Sequence, residues 1–234
     1  MNRRTYPKGI LSLFLLLFLI LPSGVVSYAE EIQVGDTVRF GHYEQDNDPS
    51  DGKEVIEWQV LDAKDDRVLL ISSNILDTVT YHRTWDDMTW EYCSLRTWLN
   101  EEFLIEAFSA DEQKYILTSV IDNSHDQGNW DWDSDGENYG GKDTLDQIFL
   151  LSYAEAKKYF LDDSARRCKP TAYADQYSLS EYSDGYGYWW LRSPGGLQSE
   201  AAMVDYTGSL EWPWPVYDDG AGIGVRPVLW VRTK

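Results

Sequence analysis

Short runs typical of strands constrain this chain most strongly, because apolar residues that recur every second position fit a half-buried strand and not a helix. Turn signals such as Thr207-Gly208 separate neighbouring runs, as in antiparallel hairpins and meanders. Pro227 lies inside the last run and cannot donate to a ladder, so it predicts a sheet edge or a bulge. The predicted strands lie at residues 34–43, 56–60, 68–71, 148–151, 188–192 and 222–231, with a hairpin over 202–212.

Helical spacing of apolar residues is confined to short segments that begin at capping residues. Ser94 precedes an amphipathic segment that we predict to be a helix over residues 95–103. Two S-x-x-E capping boxes, which begin at Ser109 and Ser152, predict two further helices directly after them. The chain is therefore predicted to be α+β, with antiparallel sheets and two to four short helices.

The N-terminus has the three parts of a secretory signal. Arg3 and Arg4 precede an apolar run at residues 10–21, and small residues at Ser27 and Ala29 suit signal peptidase. A transmembrane anchor is the alternative, but a span needs about 20 apolar residues. We predict a cleaved signal at residues 1–29, a secreted protein, and a single domain over residues 30–234.

The charge balance restricts the partners. The chain carries 40 Asp and Glu against 20 Lys and Arg. The charged residues within 1–29 are all basic, so their removal makes the net charge more negative. A negative field of this size repels nucleic acid and anionic lipid. We therefore expect no nucleic-acid partner and no membrane insertion after the signal is cleaved.

The chain has two cysteines, Cys93 and Cys168. An oxidising compartment would permit one disulfide between them, and the predicted export favours that pairing. Two buried free thiols are the alternative.

Five motifs in a fixed order resemble a known family. They cover most of the chain after the predicted signal, and together they are similar to the bacterial domain-of-unknown-function 6273 family. The motifs are SLRTWLN at residues 94–100, IFLLS at 148–152, PTAYA at 170–174, WWLRSPG at 189–195 and GVRP at 224–227.

The C-terminal half resembles, more loosely, the C-type-lectin-like architecture of formylglycine-generating enzymes and retroelement variable proteins. That resemblance implies a C-type-lectin-like single domain and implies little about function. Cys93 and Cys168 do not match the paired-cysteine site of formylglycine-generating enzymes, so that oxidase activity is not expected. The calcium motif of C-type lectins is also missing near the C-terminal hairpin.

An acidic stretch offers a candidate metal site. Asp131, Asp133, Asp135 and Gly136 match the first positions of a calcium loop, in which alternate carboxylates fold onto one hard cation. Position twelve would be a lysine, and Glu137 or Asp143 is a candidate to replace the missing ligand. A solvated acidic loop without metal is the alternative, so calcium is an expected cofactor only if this loop binds it.

Residues 211–220 offer a candidate ligand site. Two prolines stiffen the stretch, and stiff loops lose less entropy on binding. Its tryptophan faces could stack on sugar rings, or could instead pack back onto the sheet. The candidate ligand-binding residues are Trp212, Trp214, Tyr217, Asp218 and Asp219.

Catalytic templates are missing from the sequence. It contains no G-x-S-x-G, H-E-x-x-H or P-loop motif, and its three histidines are scattered. His42 is predicted to be a half-buried packing residue and His82 a surface loop residue. Arg192 and Arg226 lie in Trp-rich strands and are predicted to be core residues held by buried acids or carbonyls.

These observations favour a secreted, non-catalytic binding module that uses an aromatic surface near residues 196–222. A carbohydrate is the first expected ligand and a protein the second. An extracellular hydrolase with paired carboxylates would instead show a concave pocket that holds two acids about 5 to 9 Å apart. A passive surface or adhesion domain would show neither feature.

Overall fold

The computed structural model describes residues 10–12, 31–128, 140–176, 184–210, 213–217 and 222–233. Its strands are β1 (Ile10–Ser12), β2 (Thr37–Tyr43), β3 (Glu54–Lys64), β4 (Arg67–Ser72), β5 (Asp77–Thr78), β6 (Ser119–Ile121), β7 (Thr144–Asp146), β8 (Ile148–Phe149), β9 (Trp189–Pro194), β10 (Glu200–Val204), β11 (Pro213–Pro215), β12 (Gly224–Val225) and β13 (Val228–Arg232). Its α-helices are α1 (Ser94–Trp98), α2 (Leu104–Ala107), α3 (Tyr153–Tyr159), α4 (Asp163–Arg166) and α5 (Ala172–Asp175).

The first sheet has six strands in the order β1-β2-β3-β4-β13-β8. The predicted meander forms its centre, because β2, β3 and β4 pair antiparallel with their neighbours in sequence. A register shift after Arg39 resets the alternation in β2, so His42 is exposed and the prediction that it packs is wrong. Strand β1, which lies inside the predicted signal, pairs parallel with β2.

The second sheet has five strands in the order β11-β10-β9-β12-β5. Its predicted hairpin is present, but β10 pairs with β11 at Pro213–Pro215, which is later than the predicted return at Leu210. Pro227 lies where the chain leaves β12 and enters β13 in the first sheet, and its carbonyl accepts the Ser72 N–H at 3.0 Å. The proline therefore marks a passage between two ladders.

The helix that begins at Ser94 is longer than predicted, since α1 continues through a π-helical turn (Leu99–Phe103) into α2. Its N-cap is Cys93, whose sulfur accepts the Arg96 N–H. Both predicted capping boxes form their hydrogen bonds. The box at Ser109 nevertheless starts only a 3-10 turn (Glu112–Tyr115), because the Leu117 N–H next pairs with the Trp230 carbonyl in extended backbone.

The fold is thus α+β, with antiparallel sheets and few short helices. Buried apolar residues from both sheets form one cluster, and its largest fully buried side chains include Trp58, Trp90, Trp189 and Trp190. Among the described residues, no helix has the length and apolar character required to cross a membrane.

The structure corrects the predicted disulfide. Cys93 and Cys168 are both free and buried, and their thiols have different neighbours. The Cys93 sulfur lies 3.5 Å from the Trp90 carbonyl, whereas the Cys168 sulfur lies 3.4 Å from the Ser73 carbonyl. Burial raises the pKa of Cys93 to about 12 and raises that of Cys168 as well, so both remain neutral thiols at physiological pH.

Thiol labelling of protein purified without reductant tests this correction. We expect a thiol reagent at pH 8 to label neither cysteine in the folded protein, because burial blocks access and keeps the thiolate fraction small. The reagent should label both after denaturation. Detection of no thiol in the denatured chain would show that the disulfide forms after all. In that case Cys168→Ser should restore labelling, because it leaves Cys93 without its partner.

Candidate binding surface

Strand β11 and the two residues after it form the described part of the predicted ligand-binding stretch. Strand β11 is an edge strand, which fits its two prolines because neither could donate to a second neighbour. Trp214 is 37% exposed and Tyr217 is half-buried. The remaining candidates Trp212, Asp218 and Asp219 lie outside the described residues, as do Asp131, Asp133, Asp135 and Glu137 of the predicted calcium loop.

Gly195, in the WWLRSPG motif, permits the close approach of β11. A Cβ at this position would lie 2.5 Å from the Pro213 Cβ and 2.6 Å from the Glu200 Cβ. Any larger residue would therefore push β11 away from the sheet. The position of Trp214 thus depends on the motif.

Hydrogen bonds join the residue after β11 to two loops, and join those loops to each other. The Val216 N–H donates to the Ser199 carbonyl at 2.9 Å, and the Val216 carbonyl accepts the His82 N–H at 2.8 Å. The Met88 N–H donates to the Gln198 carbonyl at 2.9 Å, and the Gln198 side chain donates back to the Met88 carbonyl at 2.6 Å. Residues 82–92, 196–200 and 213–217 therefore form one continuous structure, which we call the three-loop surface.

The three-loop surface exposes large apolar side chains. Trp85 is 66% exposed, Tyr92 66%, Leu197 61% and Trp214 37%. Sequence reasoning missed Trp85, although a signal was present: Trp85 stands among Arg83, Thr84, Asp86 and Asp87, with no apolar residue within two positions on either side.

Buried side chains fix both ends of the segment 82–92. The Tyr81 hydroxyl donates to the Arg192 carbonyl at 2.9 Å, and the Trp90 indole N–H donates to Asp146 at 2.9 Å. The Arg96 guanidinium contacts the same Asp146 carboxylate at 2.6 Å. Trp85 therefore projects from a loop whose two ends are tied to the core, which lowers the entropy lost on binding.

His82 supplies a further tie. Its Nδ1 accepts the Ser94 N–H at 3.1 Å, which requires that this nitrogen carry no proton. Burial is the largest influence on the His82 pKa and lowers it, the charge of Asp86 raises it, and that of Arg83 lowers it. The neutral ring therefore joins the loop to the start of α1.

The hydrolase alternative needs two acids that are free to act in a cleft. The buried carboxylates each have partners: Asp77 accepts the Tyr43 hydroxyl at 2.5 Å, Glu112 caps at Ser109, and Asp205 accepts the N–H groups of its own turn. Burial raises the pKa of both Asp77 and Tyr43.

The depression near α4 also offers no free acid pair. It is lined by residues that include Asp162 and Asp163. Asp162 caps α4 by accepting the Ala165 N–H, and Asp163 pairs with Arg166. Both carboxylates therefore stabilise the helix.

One group of acids could hold a metal ion. The carboxylate oxygens of Glu44, Asp46 and Glu54, at the loop between β2 and β3, lie within 4.8 Å of one another. Oxygen ligands of this kind suit calcium. The loop already uses them, because Glu54 accepts the Gln45 N–H and Glu44 accepts the Asp48 N–H. The alternating acids of residues 44–54 were the missed signal.

The arginines of the two Trp-rich motifs are core residues, as predicted. Arg192 pairs with Glu155 and donates to the carbonyls of Leu150 and Asp122. Arg226 donates to the Ser72 carbonyl at 2.8 Å, and its guanidinium lies 5.1 Å from the centre of the Trp189 ring. Neither arginine belongs to the three-loop surface.

Comparison with known proteins gives a family. The family described as "Domain of unknown function (DUF6273)" matches residues 65–233, which include the whole three-loop surface. No protein with a curated description matches the chain, and no solved structure matches it.

Acidification should loosen the tie at His82. A His with a depressed folded pKa stabilises the fold above its unfolded pKa of about 6.5, and that contribution is lost as pH falls through the folded value. In an NMR titration we expect the His82 ring to titrate below 6.5 and the Ser94 amide shift to move with it. The Ser94 response should vanish in His82→Gln; a His82 pKa above 6.5 would contradict the assignment.

Truncation of Arg192 should destabilise the fold strongly. Its side chain is 1% exposed, and Arg192→Ala leaves Glu155 and the surrounding carbonyls without their donor. Loss of one partner of such a pair costs about 3–5 kcal/mol, measurable by chemical denaturation. Arg39→Ala, which removes an ion pair whose side chains are 46% and 40% exposed, should cost below about 1 kcal/mol. Equal effects would show that Arg192 is not a structural centre.

Proposed function

The chain belongs to the DUF6273 family, and from the three-loop surface we propose that it is a secreted, non-catalytic binding module that recognises a carbohydrate. One observation carries the proposal: Trp85 and Trp214 are exposed on segments that hydrogen bonds join to each other and to the core. A surface that exposes several large apolar side chains on a fixed backbone is typical of an interaction site.

Stacking against the apolar faces of sugar rings is the interaction that fits this surface. Tryptophan presents a large flat face at a low cost in conformational entropy. The segment 82–92 is tied at Tyr81 and Trp90, so little further order is lost when a ligand binds. A protein ligand remains the second expectation.

Secretion is proposed from residues 1–29, which have the composition of a cleaved signal. Cleavage would remove β1 and leave β2 as the edge of the first sheet. Two features of β2 protect such an edge, namely the register shift after Arg39 and the exposed, polar His42.

The finer fold proposal is a C-type-lectin-like architecture. Its support is the order of elements: the capped helix α3, the Trp-rich strand β9, the hairpin to β10, and a final strand that follows the V-R-P step. Calcium at Asp131, Asp133, Asp135 and Glu137 stays a prediction.

Binding to a panel of polysaccharides tests the proposal. We expect residues 30–234 to bind at least one glycan, and Trp85→Ala and Trp214→Ala each to weaken binding about tenfold, or ~1.4 kcal/mol. Isothermal titration calorimetry with the bound glycan would measure both. Tyr115→Ala is the matched control, because Tyr115 is 51% exposed but lies on the turn next to the first sheet.

Two outcomes would count against the proposal. If the protein binds no glycan of the panel, either with calcium or with chelator, carbohydrate is excluded as the ligand. Binding that Trp85→Ala and Trp214→Ala leave unchanged would place the site elsewhere. Sensitivity to chelator alone would implicate a metal in the same protein and would direct mutagenesis to residues 131–137.

A further inference from the structure

Several half-buried aromatic rings elsewhere on this protein have a basic side chain stacked on them. Trp230 has Lys64 at 4.7 Å and Arg67 at 5.0 Å from its ring centre, and Tyr186 has Arg167 at 3.7 Å. Such stacking satisfies the negative face of a ring. On Trp230 and Tyr186, a neighbouring basic side chain therefore already occupies the cation-binding position on the ring.

On the three-loop surface, within the described part of the chain, no Lys or Arg stacks on Trp85 or Tyr92, each 66% exposed. These rings present open faces to solvent. The face of an exposed tryptophan ring can attract a cation, and it can also stack on the apolar face of a sugar ring.

The charged groups on this surface are mostly acidic. Asp86, Asp87, Glu91 and Glu200 lie on the segments 82–92 and 196–200, against the single base Arg83. The Arg83 guanidinium lies 3.9 Å from Glu102 on the π-helical turn, so its charge is offset. Asp87, two residues from Trp85, is exposed.

Exposed carboxylates on the same short segment as an exposed tryptophan favour a ligand that combines a flat apolar ring with a positive charge. An ammonium group gains from both the ring face and a charge-assisted hydrogen bond to a carboxylate. Glycans with carboxylate or sulfate groups would be repelled by the same acids. Neutral glycans would gain the stacking alone.

We propose that the three-loop surface selects glycans with free amino groups, such as polymers of unacetylated hexosamine. This inference rests on the proposed carbohydrate function and names the class of sugar. Trp85 stacks on the sugar ring, and Asp87 with Asp86 accepts hydrogen bonds from the ammonium group.

A matched pair of polymers tests the selectivity. One is a soluble β-1,4-glucosamine polymer at pH 6, and the other is the same polymer after N-acetylation. We expect at least about tenfold tighter binding to the free amine, and weaker binding as salt rises from about 50 to 500 mM, since exposed charges are screened.

Variants separate the local acids from the overall charge of the chain. Asp87→Asn should weaken binding to the free-amine polymer about fivefold and leave binding to the acetylated polymer unchanged. Asp51→Asn is the control, because it removes the same charge from an exposed position in the loop between β2 and β3. An equal effect of the two variants would show that only net charge matters and would overturn the inference.

The remaining outcomes distinguish the two proposals. Equal binding of both polymers would overturn the amine selectivity and keep the carbohydrate function. Binding to neither polymer nor to any glycan of the panel would overturn both. If poly-lysine binds equally tightly, with the same dependence on Asp87, the ligand class would be a basic peptide and the glycan proposal would be overturned.

Discussion

The fold depends on the buried guanidinium of Arg192. This group lies on β9 in the second sheet and donates to the Leu150 carbonyl directly after β8, a strand of the first sheet. The same group pairs with Glu155 at the start of α3 and donates to the carbonyl of Asp122. A permanent charge that is 1% exposed has to find acceptors, so this one side chain holds both sheets, a helix and a loop in a single arrangement.

Other polar residues of the WWLRSPG and GVRP motifs also make buried contacts, as Arg192 does. Ser193 accepts the Tyr153 N–H and donates to the Gln127 carbonyl, which adds two ties beside those of Arg192. Arg226 then lies where the chain passes from β12 to β13, against the Trp189 ring. Pairing buried polar groups at the junction of two sheets requires several polar residues at once. These residues stabilise the fold and lie outside the three-loop surface.

Local patterns predicted the fold better than long-range ones. The β2–β3–β4 meander follows from period-two alternation, and the capping box at Ser152 follows from its own four residues. The 3-10 turn after Ser109 and the late return of β11 were not predictable, because both depend on partners distant in sequence, such as the Trp230 carbonyl. The predicted disulfide was wrong for the same reason, since the spacing of two cysteines in the sequence does not show where their thiols lie in the fold.

The candidate site was predictable only in part. Trp214 was identified because prolines flank it, whereas Trp85 lies about 130 residues earlier and joins the surface through the pairing of Met88 with Gln198 and of His82 with Val216. Those bonds replace the regular ladder at the edge of the second sheet. A surface built from loops in this way can change its side chains without disturbing Arg192, so the ligand can vary while the buried centre stays fixed.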